Sequence, residues 1–257
     1  LLANTTDVAS WGNTGTSLKW GRQWGSSLYS HTLVSYANYF SKRTNTLHTQ
    51  ITDSLGTVRD FQSGTIEDNK LRDYAVRTDW EWVMSATQRL GFGAQHSYQD
   101  MAYRYARNDT ATLIDRSGTG HTFSVYAEDM LSLAGHRLSV LPGVRLTHFT
   151  PTAGWYAEPR MRADYRVSET VSLKTSAGIY HQFAKRVIRE DVLRGSRDFW
   201  LLADDNRLPV SRSRQLSAGL SWENGQFLID AEGYVKEMAG LSEYTLRFQS
   251  ASGAADY

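Results

Sequence analysis

Residues 155–167, WYAEPRMRADYRV, alternate along their length. Trp155, Ala157, Pro159, Met161, Ala163, Tyr165 and Val167 make one face. Tyr156, Glu158, Arg160, Arg162, Asp164 and Arg166 make the other. After Ser168, Glu169 and Thr170 the apolar face resumes with Val171, Leu173, Thr175, Ala177 and Ile179. A period of two belongs to a β-strand, whose successive side chains point to opposite sides. The pattern recurs in LRDYAVRTDWEWV, where Tyr74, Val76, Thr78, Trp80 and Trp82 oppose Asp73, Ala75, Arg77, Asp79 and Glu81. It recurs again in HTFSVYAE, HRLSVLPGVRLTHF, RQLSAGLSW and FLIDAEGYVK. Helical periodicity is poor nearly everywhere, so the expected class is all-β.

With GTSLKWGRQ, SLYSHTLVSYANYF and LGFGAQHSYQDMAYRYA, the sequence predicts about ten strands of roughly 9–15 residues, near or above the 9–11 that cross a bilayer at a tilt. Short turns are expected near Trp24–Ser26, Thr87–Arg89, Ala134–Gly135, Ser168–Thr170 and Asn224–Gly225, the last a hairpin signal. Longer polar connections are expected at 42–70, 107–120 and 182–211, with a short one near Pro151. Tight turns alternating with long loops are the stringing of outer-membrane barrels.

Alternation alone fits either a soluble sheet or a membrane wall. Two features favour lipid on the apolar side. Many of its residues are small or mildly apolar, where a soluble core needs bulk for close packing. Aromatics are 12% of the chain, with 14 Tyr and 8 Trp, and they fall where interface girdles belong. Trp20, Trp82 and Trp222 precede short turns; Phe149, Trp155, Tyr180 and Phe183 lie near loop ends. These are the candidate membrane-interface aromatics. Pro142 and Pro159 fall inside strands although proline cannot donate to a ladder, so each marks a bulge, a strand end or a slipped register.

Composition narrows the function. Lys and Arg number 28 against 27 Asp and Glu, which leaves no basic excess for nucleic acid. Cysteine is absent, which excludes disulfides, thiol nucleophiles and Cys-based metal sites. No apolar run approaches the length of a transmembrane helix, and LLANTTDVAS lacks the features of a signal peptide. The seven histidines show no metal-ligand spacing, and the glycines of GFG (91–93) lie on a strand rather than at a phosphate-cradling turn. No catalytic constellation stands out. The expectation is a non-enzyme without cofactor or metal.

LPGVRLTHF, EPRMRADYRVSETVSLKTSAGIYHQF, RDFWLLAD and LIDAEGYVKEMAGLSEY together resemble the β-barrel of TonB-dependent outer-membrane receptors. A PG-x-R strand holding Pro142 is followed by an x-PR-x-x-x-x-Y strand holding Pro159, a short turn and a strand ending in G-x-Y-x-Q-F. The resemblance thus accounts for both prolines. It implies an antiparallel transmembrane barrel of about 22 strands with a plugged lumen. It also implies a bacterial outer-membrane location, a small ligand such as a ferric siderophore or cobalamin, and energy from the TonB complex acting through the plug. The chain shows no plug segment, TonB-contact box or terminal barrel strand, and both of its ends fall on the long-loop side. Residues 1–257 are therefore expected to be part of one barrel domain, with plug and C-terminal strands absent. About ten strands alone would leave two unpaired edges in lipid.

The most chemically loaded stretch is HQFAKRVIREDVLRGSRDFWLLADDNRLPV, at 181–210. Arg194, Arg197, Asp198, Phe199 and Trp200 are its candidate extracellular ligand contacts, through charge-assisted bonds and stacking. The competing reading has Phe199 and Trp200 packing on the barrel rim, and is favoured. Val187–Leu193 is read as a short helix. Glu190, Asp191, Asp204 and Asp205 offer oxygens to calcium, but their spacing matches no EF-hand. The charges Arg77, Asp79, Glu81, Arg160, Arg162, Asp164, Asp230 and Glu232 are expected to pair along the lumen wall. Rival functions are a passive porin and a ten-stranded outer-membrane protease.

Overall fold

The computed structural model describes residues 2–52, 55–108, 111–189, 197–204, 206 and 208–242, together with the backbone of 247–248 and 255–256. Ten antiparallel strands form one sheet. They are β1 (Leu2–Gln23), β2 (Leu28–Thr52), β3 (Val58–Val83), β4 (Gln88–Arg107), β5 (Ala111–Leu133), β6 (Leu138–Phe149), β7 (Gly154–Arg166), β8 (Val171–Gln182), β11 (Ser211–Glu223) and β12 (Leu228–Ala239). Each pairs with its neighbours in chain order, and β1 and β12 are the open edges. Between β8 and β11 the chain makes a separate hairpin, β9 (Ala184–Arg189) with β10 (Arg197–Leu202). A two-residue pair, β13 (Arg247–Phe248) with β14 (Ala255–Asp256), stands apart from the sheet.

Three expectations are corrected. The connections at 42–70 and 107–120 are mostly strand: β2 and β3 run 25 and 26 residues and stay paired to Thr52↔Val58, and β4 pairs β5 to Arg107↔Ala111. Strands of that length exceed the roughly 9–15 residues read from the sequence. Only 183–210 is a long connection of its own kind, because β8 and β11 pair directly beneath it. Residues 187–189 are strand rather than helix; 190–193 lie outside the described residues.

The prolines sit where the ladder lapses. The β5–β6 pairing breaks between Glu128↔Gly143 and Leu131↔Val140, the stretch that holds Pro142. The β7–β8 pairing stops at Arg160↔Gly178, one residue short of Pro159. Above that point the Glu158 carboxylate accepts the His181 backbone N–H at 2.6 Å, replacing a ladder bond. At the 224–227 turn, Asn224 N–H donates to Phe227 O, so Gly225 and Gln226 are the central residues. Gly225 takes φ +81°, which costs glycine little.

Candidate functional site

Register decides which residues share a face. Pairing aligns Thr32, Thr78, Ala94, Val125, Leu146 and Ala157 in one row. Farther along, Met161, Ala177, Leu216 and Val235 form another. Among the described residues none packs over this side: Met161 is 51% exposed and Leu216 55%. A continuous apolar face without a protein cover is the lipid face of a transmembrane barrel.

Aromatic rings bound this band at both ends. Near the short turns Trp20 meets Trp24 edge-on at 6.3 Å, Trp24 stacks on Trp80 at 5.9 Å and Trp80 on Phe92 at 6.2 Å. The Trp24 indole N–H donates to Ser30 Oγ at 2.7 Å and covers it. Trp82 and Trp222 lie on the same outer side, paired with Leu28 and Leu90, and with Val171 and Ile229. At the other end Tyr36, Tyr74, Tyr98 and His121 align in one row with ring contacts of 4.8, 6.2 and 4.9 Å. Trp155 joins them beside His148 at 4.9 Å. From Trp82 to Tyr74 the eight residue steps span roughly 26 Å along the strand. That is about 20 Å of height at a barrel tilt near 40°, comparable with a barrel's apolar band.

Three of the expected interface aromatics are corrected. Phe149 is fully buried on the inner face, among Met101, Leu202 and Phe183. Tyr180 lies on the inner face as well, its ring over Gly178, in the row that holds Arg160. Both are near a loop end, but their parity is inward; proximity to a loop does not set direction. Phe183 likewise packs against the Phe149 cluster. His96 and His121, distant in sequence, meet at 3.1 Å on the outer face through the β4–β5 register. Spacing along one chain segment could not reveal that pair.

The inner face is polar and paired. The Asp79 carboxylate takes Arg77 Nε at 2.8 Å, His31 Nε2 at 3.0 Å and the Tyr126 hydroxyl. Tyr126 lies across Gly93, where any Cβ would sit 2.4 Å from Thr78 O, so the row admits only glycine there. Arg89 pairs with Glu81 at 3.3 Å, Arg162 with Asp164 at 2.8 Å and Arg160 with Glu128 at 3.9 Å. Such contacts hydrate and tie a wet wall; exposed pairs contribute little stability singly.

Above the Tyr74 row the chain folds back on itself. The β9–β10 hairpin lies on the inner side, since β10 crosses β3, β4 and β5 and its contacts are their inward residues. Phe199 stacks on Tyr103 at 3.8 Å with rings 6° apart, and the Tyr103 hydroxyl donates to Glu67 at 2.5 Å. Phe199 is therefore 2% exposed, a packing anchor; Trp200 is half-buried against Met101, Phe149 and Leu202. Lys185, buried on β9, donates to Gly240 O and to Ser242 Oγ at 3.0 Å, fastening the hairpin to the end of β12. Burial lowers the Lys185 pKa from its ordinary value. Arg194 lies outside the described residues, as do Glu190, Asp191 and Asp205, while Arg197 and Asp198 are placed only as strand backbone. Asp204 Oδ1 accepts the backbone N–H groups of Asn206 at 3.2 Å and Leu208 at 2.9 Å, so it caps its own turn.

Between this hairpin and the inner face of β5 is a cavity of about 460 Å³. Met101, Ile114, Leu201, Leu202 and Leu208 line it, with Arg116 at one side. It is the only apolar recess on the otherwise polar inner wall among the described cavities.

Comparison with known proteins agrees with this architecture. The siderophore receptor PirA of Pseudomonas aeruginosa superposes with a TM-score of 0.55 at 13% identity, over 95% of this chain and 50% of that one. A mutant of the ferric enterobactin receptor PfeA, also of Pseudomonas aeruginosa, gives 0.54 at 12% identity, over 90% and 43%. The RagAB peptide transporter gives 0.59 at 9% identity, over 92% and 31%. The chain thus spans half or less of each of these structures. No curated protein matches the sequence. The TonB dependent receptor-like, beta-barrel family matches residues 2–251, nearly the whole length, and the chain belongs to that family.

Proposed function

We propose that this chain forms part of the wall of a bacterial outer-membrane receptor that takes up a scarce small ligand, driven through TonB. The observation that carries the proposal is the β9–β10 hairpin, folded inward across the lumen wall of a barrel of this family. The hairpin packs on the inner wall with an apolar cavity beneath it, an arrangement that supports a ligand-binding wall over a bare channel. In this reading outer-membrane lipid surrounds the Met161 face, and a plug domain of the same protein meets the Asp79 face. The TonB complex acts through that plug. Further strands complete a wall of about 22. Ligand contacts come from the hairpin, Arg194, Arg197, Asp198 and Trp200 among them, while Phe199 holds the hairpin in place. Siderophore receptors among the structural neighbours favour a ferric siderophore or a similar scarce molecule as cargo.

The test uses the full-length receptor in cells. Growth under iron or cobalamin limitation on a panel of ferric siderophores and cobalamin is compared with and without an intact TonB system. Growth that depends on both receptor and TonB is expected. Rapid swelling of receptor-loaded liposomes in small sugars, with no TonB-dependent growth, would establish the porin instead.

A further inference from the structure

We infer that the cavity beneath the β9–β10 hairpin receives an amphipathic monoanion, an apolar body about the size of an aromatic ring system that ends in one carboxylate. Arg116 pairs with Tyr103 across the β4–β5 ladder and therefore shares its inward direction. The Arg116 side chain is half-buried and makes no hydrogen bond or ion pair among the described residues. The other charge on the cavity wall, Asp204, is engaged by the Asn206 and Leu208 backbone. One uncommitted guanidinium remains, a planar fork that matches a single carboxylate in two parallel bonds.

The rest of the lining excludes other classes. Met101, Ile114, Leu201, Leu202 and Leu208 form the apolar body of the lining, and its further polar side chains, Ser117, Thr119 and Ser242, bring hydroxyls but no second positive charge to match another anionic group. A multiply charged ligand would bring charges against these side chains without partners, which is costly. A neutral ligand would leave Arg116 without a counter-ion in a partly dry site. A volume of about 460 Å³ lies within the range of small-molecule sites and holds two fused rings with room to spare. The inference rests on the uptake reading, since a lumenal cavity is a ligand site only in a receptor.

The experiment titrates the full-length receptor in lipid nanodiscs with 1-naphthoate, 1-naphthamide and 1-naphthylmethylammonium, one ring system with negative, zero and positive charge. Naphthoate is expected to bind about tenfold more tightly than the amide, and the ammonium weakest. Arg116→Gln is expected to level acid and amide by weakening the acid about tenfold, and Arg116→Lys to restore part of the preference. Equal binding of acid and amide to the native receptor overturns the inference, as does a preference that survives Arg116→Gln. TonB-dependent accumulation in cells is scored separately. A charge preference without energised accumulation defeats the uptake reading alone; accumulation of cargo without the preference defeats this inference alone.

Discussion

Along β3, β4 and β5 the apolar side chains change direction at the Tyr74 row. Below it they point outward: Val76 and Trp80 on β3, Phe92 and Ala94 on β4, Phe123 and Val125 on β5. Above it most point inward, as Leu71, Met101, Tyr103 and Ile114, while the outward rows hold mainly charged residues, Lys42, Asp68, Lys70, Arg72, Asp100, Arg104 and Asp115, alongside Val58 and Ile66. The backbone ladder is continuous through the change. What differs is the solvent. Lipid covers the outside of the lower wall, so its apolar side faces out. Water surrounds the upper wall, so its apolar side turns in and takes its cover from the chain's own hairpin. The difference teaches that a strand's polarity pattern records what lies on each side of it, and that the pattern inverts where the membrane ends.

The strongest challenge to the comparison is the isolated chain. The lower parts of β1 and β12 carry unpaired backbone groups that lipid cannot satisfy, whereas the upper parts can be hydrated. Residues 2–251 alone are expected to stay out of liposomes; heat-modifiable insertion of that segment would contradict the assignment of the open edges. Next comes Phe199→Ala, which removes the buried ring on Tyr103 and is expected to weaken hairpin docking by about 3–5 kcal/mol. Hydrogen exchange on the full-length receptor should show β9 and β10 released with the lower wall unchanged; protection equal to the native hairpin would mean that the upper wall does not depend on it. The third is a matched pair on the outer face. Met161→Arg is expected to cost about 2–4 kcal/mol in a reversible folding measurement in bilayers. Val58→Arg, on the upper outer face beside water and 52% exposed, should stay within about 0.5 kcal/mol. Equal penalties at the two positions would erase the boundary drawn at Tyr74.

Much of the lower wall was legible in the sequence. Trp155 to Val167 and Tyr74 to Trp82 alternate because each strand there has lipid on one side and a wet lumen on the other. The upper wall was not. At 42–70 the apolar residues are sparse and divided between the faces, Leu47, Ile51 and Phe61 inward and Val58 and Ile66 outward, so the segment reads as polar loop although it is paired strand. Phe149 and Tyr180 were placed by their nearness to loops, and their direction was lost. The motifs around Pro142 and Pro159 pointed to the family before any ladder was known; the structure supplied the reason those positions tolerate proline.

The candidate site divides in the same way. The loaded segment 181–210 was visible as composition. That it folds inward, spends Phe199 on Tyr103, fastens Lys185 to Gly240 and leaves Arg116 beside an apolar cavity was not visible, because every one of those contacts joins residues distant in the chain. By itself the sequence determined a membrane-spanning antiparallel wall, since period-two alternation and turn spacing are local and each strand writes its own pattern. Only the tertiary structure decided which ring faces lipid, where the membrane stops and what the inner wall encloses. Those depend on register and on a hairpin folding back, which couple residues that the chain holds apart.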